Sequence, residues 1–246
     1  MVAVNFESWL IGFIEGEGSF THDGNYPRFF LVQKDGGDVF NKLKDFFEAG
    51  RIRCNESRIW TFYASGSGCW PIRYLCEDKL QLLKKQKQFE AWKTLEWYFP
   101  LVNNKYPNPV IFEDWLIGFI EAEGSFTSMG NNTYPEFSIS QDEKEILDRI
   151  QEFFGCGKVA KTGNKVAWQL RITGRDDCQK VRMFCEGKLQ LEKRRIQFED
   201  WKKLKWENAL EVRVKEERWK RFAAAHPDGT FFYGVDASGN KTILNV

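Results

Sequence analysis

Apolar residues crowd one short run near the start of the chain. Trp9, Leu10, Ile11, Phe13 and Ile14 are interrupted only by Gly12 before Glu15 is reached. A segment that is apolar nearly all round, rather than along one stripe, predicts a helix buried on every side. The run then returns: Trp9-Leu-Ile-Gly-Phe-Ile-Glu-Gly-Glu-Gly-Ser-Phe20 recurs as Trp115-Leu-Ile-Gly-Phe-Ile-Glu-Ala-Glu-Gly-Ser-Phe126, eleven of twelve positions matching and Gly16 alone replaced, by Ala122. The echo continues. Tyr26-Pro27 returns as Tyr134-Pro135, Gln33 as Gln141, Phe46-Phe47 as Phe153-Phe154, the tetrapeptide from Lys79 as that from Lys188, and the tripeptide from Gln88 as that from Gln197. The offset drifts only from 106 to 109 residues. A period this long is a duplicated domain, not a solenoid, and two such domains pack most simply about a pseudo-two-fold axis.

Hydrophobic periodicity gives the elements of each copy. A helix over 7–17 is expected to end at Gly18 as its C-cap, with strands over 19–23 and 28–34 around the turn at 22–25. A helix over 38–48 turns Val39, Leu43, Phe46 and Phe47 inward. Strands follow over 51–55 and 58–64, then helices over 70–77 and 86–98. The order repeats in the second copy, so the expected fold is α+β, two αββαββα units with helices on one face of antiparallel strands. The expected boundaries are 1–98 for the first unit, 99–112 for a Pro- and Asn-rich linker, 113–206 for the second unit and 207–246 for an extension. That extension has a charged helix over 207–225 and a hairpin over 228–243, with no counterpart in the first unit.

Composition changes this picture little. No apolar run approaches the ~20 residues of a membrane helix, and Met1 to Ser8 lacks the regions of a signal peptide, so a soluble chain is expected. The net charge of +1 lacks the excess typical of a nucleic-acid binder. The charges are nevertheless segregated: residues 158–172 carry Lys158, Lys161, Lys165 and Arg171 and no acid, whereas acids gather in predicted helices such as 142–152. Cys54, Cys69, Cys76, Cys156, Cys178 and Cys185 form no CxxC pair, which argues against a zinc ribbon. They are expected as reduced core residues.

The repeated helix carries the candidate chemistry. Gly12 and Gly16 lie four apart, as do Gly118 and Ala122, a spacing that lets two helix backbones approach closely. The two copies are therefore expected to pack on each other as the joint between the units. Each ends in an acid, Glu17 or Glu123, at the helix terminus that disfavours negative charge. Two such ends at one axis would repel, and a divalent cation removes the conflict, since carboxylates and carbonyls are ligands for Mg²⁺ or Ca²⁺. Paired carboxylates with metal suit phosphodiester hydrolysis. Glu15 and Glu121 lie about 200° round the helix from those acids and are expected to be structural.

At these residues the chain resembles the LAGLIDADG homing endonucleases. Leu10-Ile-Gly-Phe-Ile-Glu-Gly-Glu-Gly18 and Leu116-Ile-Gly-Phe-Ile-Glu-Ala-Glu-Gly124 look like the two motif copies of the single-chain type, and the resemblance covers about residues 5–206. It implies that Glu17 and Glu123, at a position often held by Asp, bind metal with the carbonyls of Gly16 and Ala122. It also implies Gln33 and Gln141 near the scissile phosphates and Lys85 ordering the water network. The second unit holds Arg194 at the aligned position, and Arg is not equivalent to Lys there. The implied cofactor is Mg²⁺, with Ca²⁺ or Mn²⁺ able to substitute for binding.

Alternation along the strands then divides the sheets. Trp60, Phe62, Trp168 and Leu170, with Ile52 and Val159, fall on the core face. The opposite face is expected to present Arg28, Arg51, Arg53, Asn55, Thr61 and Tyr63 in the first unit and Ser138, Lys158, Lys165, Gln169 and Arg171 in the second. These side-chain types read major-groove edges and phosphates. The expected function is site-specific hydrolysis of both strands of a long asymmetric DNA duplex by a monomer that requires no protein partner, promoting intron mobility. An organelle, chloroplast or mitochondrion, is the expected setting if the chain is intron-encoded there. The alternatives are an RNA-binding intron maturase of the same fold and, more weakly, a transcription regulator, for which the extension shows no helix-turn-helix.

Overall fold

A computed structural model describes residues 3–96, 106–129, 134–162 and 167–204, together with the backbone of 233–235 and 241–243. The first repeat contains α1 (Phe6–Glu17), β1 (Gly18–Asp23), β2 (Tyr26–Lys34), α2 (Gly37–Phe47), β3 (Arg51–Cys54), β4 (Ile59–Ser65), α3 (Trp70–Cys76) and α4 (Leu83–Lys93). The second contains α5 (Phe112–Glu123), β5 (Gly124–Met129), β6 (Tyr134–Gln141), α6 (Lys144–Phe154), β7 (Lys158–Lys161), β8 (Trp168–Thr173), α7 (Arg175–Cys185) and α8 (Glu192–Lys202). Each repeat thus closes on two helices, so its full order is αββαββαα. The helix expected over 86–98 begins three residues earlier, at Leu83, and ends at Lys93.

The two sheets are antiparallel and share one topology, β1-β2-β4-β3 and β5-β6-β8-β7. Their inner faces carry Phe29, Leu31 and Phe62 in the first repeat and Phe137, Ile139 and Leu170 in the second, all fully buried. The last helix of each repeat docks in the same way. Phe20 packs against Phe89 and Trp92 with ring centroids 5.3 and 5.1 Å away, and Phe126 packs against Phe198 and Trp201 at 5.2 and 5.3 Å. Cys69, Cys76, Cys178 and Cys185 are buried as expected, whereas Cys54 on β3 is exposed and Cys156 only half-buried. Burial pushes the Cys69 and Cys178 thiols up to about 12, which leaves them protonated.

The motif helix behaves as its composition predicts. Asn5 caps α1 by accepting from the Ser8 amide, and Trp9, Leu10, Ile11, Phe13 and Ile14 all lie within the core. Burying one such aliphatic or Phe side chain is worth about 1.5–3 kcal/mol. Gly18 is the C-cap of α1 as expected, its amide donating to the Ile14 carbonyl, but it is extended (φ −78°, ψ 147°) instead of left-handed, and it opens β1. Glycine is needed there for another reason, because an added Cβ would lie 2.6 Å from the Ile14 carbonyl oxygen.

Residues 1–206 form one compact body and 207–246 a second. The end of the expected linker is anchored within the first body: Tyr106 is buried, Lys79 donates to its carbonyl, and the Ile111 amide donates to Ser8 Oγ at 3.0 Å. In the extension, β9 (Tyr233–Val235) pairs antiparallel with β10 (Lys241–Ile243), within the expected hairpin. The helix expected over 207–225 lies outside the described residues.

Candidate active site and nucleic-acid interface

The seam between the repeats is made by α1 and α5. A Cβ on Gly12 would lie 2.0 Å from the Trp115 carbonyl oxygen, and one on Gly118 would lie 1.9 Å from that of Trp9. No side chain fits at either distance, so the two backbones touch because these positions are glycine. Farther along, a Cβ on Gly16 would lie 2.3 Å from that of Ala122.

Buried hydrogen bonds cross the same seam in reciprocal fashion. Trp9 Nε1 donates to Glu121 Oε2 at 2.6 Å, and Trp115 Nε1 donates to Glu15 Oε2 at 2.5 Å. Glu15 also accepts from the Gln81 and Leu82 amides at 2.7 and 2.6 Å, and Glu121 from the Gln190 and Leu191 amides at 2.9 and 2.6 Å. These two acids are structural, as expected. Burial pushes both carboxyls up to about 7, against N–H donors that favour the anion. Pattern reading missed the indole partners. The available signal was an N–H-bearing ring immediately before each motif copy, at the start of an otherwise apolar run.

Where the helices end, Glu17 and Glu123 come together. The Cβ position of Gly16 is 3.1 Å from Glu123 Cγ and 3.4 Å from its Oε1. Burial raises both pKa values. For Glu123 the neighbouring Glu17 charge raises it further, while Lys85 and Arg194 oppose the rise at both acids. Two half-buried carboxylates, Glu123 raised further by the charge of Glu17, form a site that a cation would satisfy. Among the described residues no three His, Cys, Asp or Glu side chains converge on one point. A cation at the pair would therefore draw on two carboxylates, with carbonyl and water oxygens for the rest.

The surroundings of the pair are unequal. Gln33 Nε2 donates to Glu17 Oε1 at 3.1 Å. Each glutamine also accepts from the next amide, Lys34 or Asp142, at 2.9 Å, but Gln141 makes no bond to Glu123. Lys85 Nζ donates to the Gly18 carbonyl. Arg194 donates to the carbonyls of Glu121 at 2.8 Å and Ala122 at 3.1 Å. The Ala122 carbonyl, expected as a metal ligand, is thus already an acceptor for Arg194. Burial lowers the pKa of both Lys85 and Arg194, opposed by the acids around them.

The outer faces of the sheets follow the expected alternation with corrections. Strand pairing sets Arg51 opposite Tyr63 and Arg53 opposite Thr61, and Lys158 opposite Arg171. Arg51, Arg53, Lys158 and Arg171 are exposed, and Thr61, Tyr63 and Gln169 are partly so. Lys158, Gln169 and Arg171 line a shallow groove with Ala160, Lys161, Thr162 and Thr173. Ser138 is only 7% exposed: it lies between Ser125 and Arg171 on neighbouring strands, so its place on the outer face leaves it covered. Arg28 is engaged by Asp23 in an ion pair. The Asn55 side chain closes the β3–β4 turn by accepting from the Ile59 amide at 2.9 Å. Lys165 lies outside the described residues.

A family model described as LAGLIDADG endonuclease matches residues 116–205, within the second repeat. A probable intron-encoded endonuclease aI3 of Dictyostelium citrinum is 34% identical over 117 residues, which are 43% of this chain and 46% of that protein. An uncharacterized mitochondrial protein RF1 of Saccharomyces cerevisiae is 26% identical over 172 residues, 58% of this chain and 36% of that protein. The chain therefore spans less than half the length of these curated relatives. The LAGLIDADG meganuclease I-AabMI, solved bound to uncleaved DNA, superposes with a TM-score of 0.64 at 17% identity, over 79% of this chain and 88% of that one. I-SmaMI bound to an uncleaved DNA target in the presence of calcium ions gives 0.56 at 16% identity, over 91% and 98%. At such identities the likeness is one of fold. The second repeat thus matches the LAGLIDADG endonuclease family model, the first carries the same motif, and the two-sheet fold is shared with solved LAGLIDADG meganucleases.

Proposed function

We propose that the chain is a site-specific homing endonuclease that hydrolyses both strands of a long asymmetric DNA duplex with a divalent metal, and that it promotes intron mobility. The observation that carries this reading is the meeting of Glu17 and Glu123 at the end of the α1–α5 seam, flanked by Lys85 and Arg194. Glu17 and Glu123, with the Gly16 carbonyl and the remaining lone pair of Ala122, would hold Mg²⁺, for which Ca²⁺ or Mn²⁺ would serve in binding. When bound, the metal supplies Lewis acidity toward a phosphodiester.

The protein's own groups do the rest. Gln33 holds the Glu17 carboxylate in place. Lys85 and Arg194 put positive charge beside the pair, where negative charge grows on phosphate oxygens in the transition state. Arg51, Arg53, Thr61 and Tyr63 on one sheet, and Lys158, Gln169 and Arg171 on the other, would meet the duplex, each repeat taking one half-site. The outer faces differ, so the target is asymmetric and a single chain suffices. The named relatives support an organelle setting, through an intron-encoded endonuclease and a mitochondrial protein. The maturase alternative is not favoured, because both motif acids are kept and are brought together.

The test is cleavage of a randomised duplex library by the full chain with Mg²⁺, alongside Glu17→Gln and Glu123→Gln. Recovery of one asymmetric site cut by the wild type alone supports the reading. Absence of cutting with retained binding to intron RNA would replace it with the maturase.

A further inference from the structure

The first turn of α4 carries Lys85 and has no cap from its own N-cap residue, Leu82. A helix start leaves amides without intrahelical partners. Here four consecutive amides are taken by two carboxylates. Gln81 and Leu82 donate to Glu15, in the same repeat. Leu83 and Lys84 donate to Glu143 Oε2 and Oε1 at 2.7 and 2.6 Å. Glu143 belongs to the other repeat, two residues after Gln141, and is itself the N-cap residue of α6. It therefore occupies the cap position of one helix in sequence and caps another in space. Two contacts reinforce the junction: Lys84 pairs with Asp142 at 2.7 Å, and Arg149 donates to Gln81 Oε1 at 2.8 Å.

The other half lacks this device. Glu121 takes the Gln190 and Leu191 amides, but among the described residues no side chain accepts from the amides of Glu192 and Lys193 at the start of α8. The repeat offset at Gln33 and Gln141 places Asp35 opposite Glu143, and Asp35 is paired instead with Arg58 at 2.9 Å. The first repeat reaches α8 through the Arg195–Asp38 ion pair at 3.3 Å, but that contact takes none of its first-turn amides.

We propose that Glu143 is a positioning residue: from the second repeat it fixes the first turn of α4 and so holds the Lys85 amine against the Gly18 carbonyl, beside the Glu17–Glu123 pair. A carboxylate at this end of a helix both accepts from the orphan amides and opposes the positive end of the dipole. Lys85 is the next residue after the capped amides, so release of that turn releases its stem. Arg194 needs no such clamp, because its guanidinium grips two α5 carbonyls directly. Glu143 thus makes the two halves of the centre unequal in preorganisation.

The catalytic arm of the test rests on the endonuclease reading, and a second arm does not. In the first, strand-resolved single-turnover cleavage is measured for wild type, Glu143→Ala, Glu143→Gln, Lys85→Ala and the Glu143→Ala/Lys85→Ala double variant. Glu143→Ala should slow the Lys85-dependent strand by about tenfold or more, spare the other strand, and add nothing on the Lys85→Ala background. Glu143→Gln, which can still accept from one amide, should fall between. In the second arm the same proteins without DNA are treated with succinimidyl acetate, and acetylation is located by peptide mass spectrometry. Lys85 should become several-fold more reactive in Glu143→Ala while the exposed Lys87 stays unchanged. Equal slowing of both strands, a full further loss on the Lys85→Ala background, or unaltered Lys85 acetylation would each overturn the proposal. If the wild type cuts no duplex, the endonuclease reading fails and the acetylation result alone decides the role of Glu143. Should Glu143→Ala not fold, Glu143→Gln carries the same comparisons.

Discussion

The indole of Trp9 donates to the carboxylate of Glu121 across the seam at 2.6 Å, and both groups are fully buried. The bond joins the residue before one motif copy to the sixth residue after the equivalent position of the other. It thereby couples helix register to the placement of the acids beyond. A register slip of one residue along α1 would break this bond and its reciprocal from Trp115 together. Trp9→Phe keeps an aromatic ring but removes the donor with the five-membered ring, leaving a buried carboxylate short of one partner. The expected loss is about 1–3 kcal/mol, read from urea denaturation. A change within error would show that the seam is held by packing alone.

Backbone contact at the seam makes its glycines intolerant of the smallest side chain. Gly12→Ala and Gly118→Ala would place a Cβ 2.0 and 1.9 Å from a carbonyl oxygen of the other helix, and the helices must separate to admit it. A loss of about 1–3 kcal/mol or more is expected from such overpacking, and Gly12→Leu or Gly118→Leu should prevent folding. Unaltered melting of both alanine variants would mean that α1 and α5 do not touch there.

The raised carboxyls of Glu15 and Glu121 make a pH prediction with a definite sign. An acid whose folded pKa lies above its unfolded value binds more protons in the folded state between the two. Its contribution to stability is therefore complete below about 4.5 and is lost as pH rises through about 7. The slope within that window is up to about 1.4 kcal/mol per pH unit for each group. Denaturation of wild type and Glu121→Gln across pH 4.5–8 measures it. The variant should be less stable throughout, since its amide accepts on one oxygen only, but its profile should be flatter. Parallel profiles would place the titration elsewhere.

The motif helices and their contact were legible in the chain because duplication doubled the signal. An all-round apolar helix with small residues four apart reads as a close helix pair, and two copies supply both partners. The sheet faces were legible from alternation as well, but alternation says which way a side chain points and not how much covers it. Ser138 points outward and is buried, while Arg28 points outward and is engaged by Asp23. Glu143 was not legible at all. Its contact with Leu83 and Lys84 joins segments about 60 residues apart in sequence, follows no period, and has no counterpart in the other copy from which to be noticed.

The proposed metal acids predict a separation of binding from cutting. Glu17→Gln or Glu123→Gln should lower cleavage by more than about 100-fold, since even groups that only support a ligand cost 10–100-fold, and should leave specific duplex binding intact. Gel-shift and nicking assays on one substrate check both. Wild-type cutting by both variants would remove the metal assignment, and loss of folding would make these acids structural.

The outer faces predict half-site autonomy. Arg51→Ala and Arg53→Ala should relax base preference on one side of the cut, and Gln169→Ala and Arg171→Ala on the other, at about 1–3 kcal/mol for a base-reading side chain. Lys158→Ala should weaken all sequences alike and flatten the salt dependence. A cleavage profile over every single-base variant of the target decides. Even weakening by every variant would reduce these residues to backbone contacts.

Gly12 meets Trp115 and Gly118 meets Trp9 through the same pair of residue types. The glycine contact at the seam therefore carries no label that tells one repeat from the other, and either motif helix is a fit partner for a copy of itself. What favours the intended pairing at this contact is covalent continuity. Being on one chain gives each repeat an effective concentration of its own partner that a second molecule in dilute solution does not match. Fusion into one polypeptide thus permits the outer surfaces to diverge while the shared surface stays interchangeable.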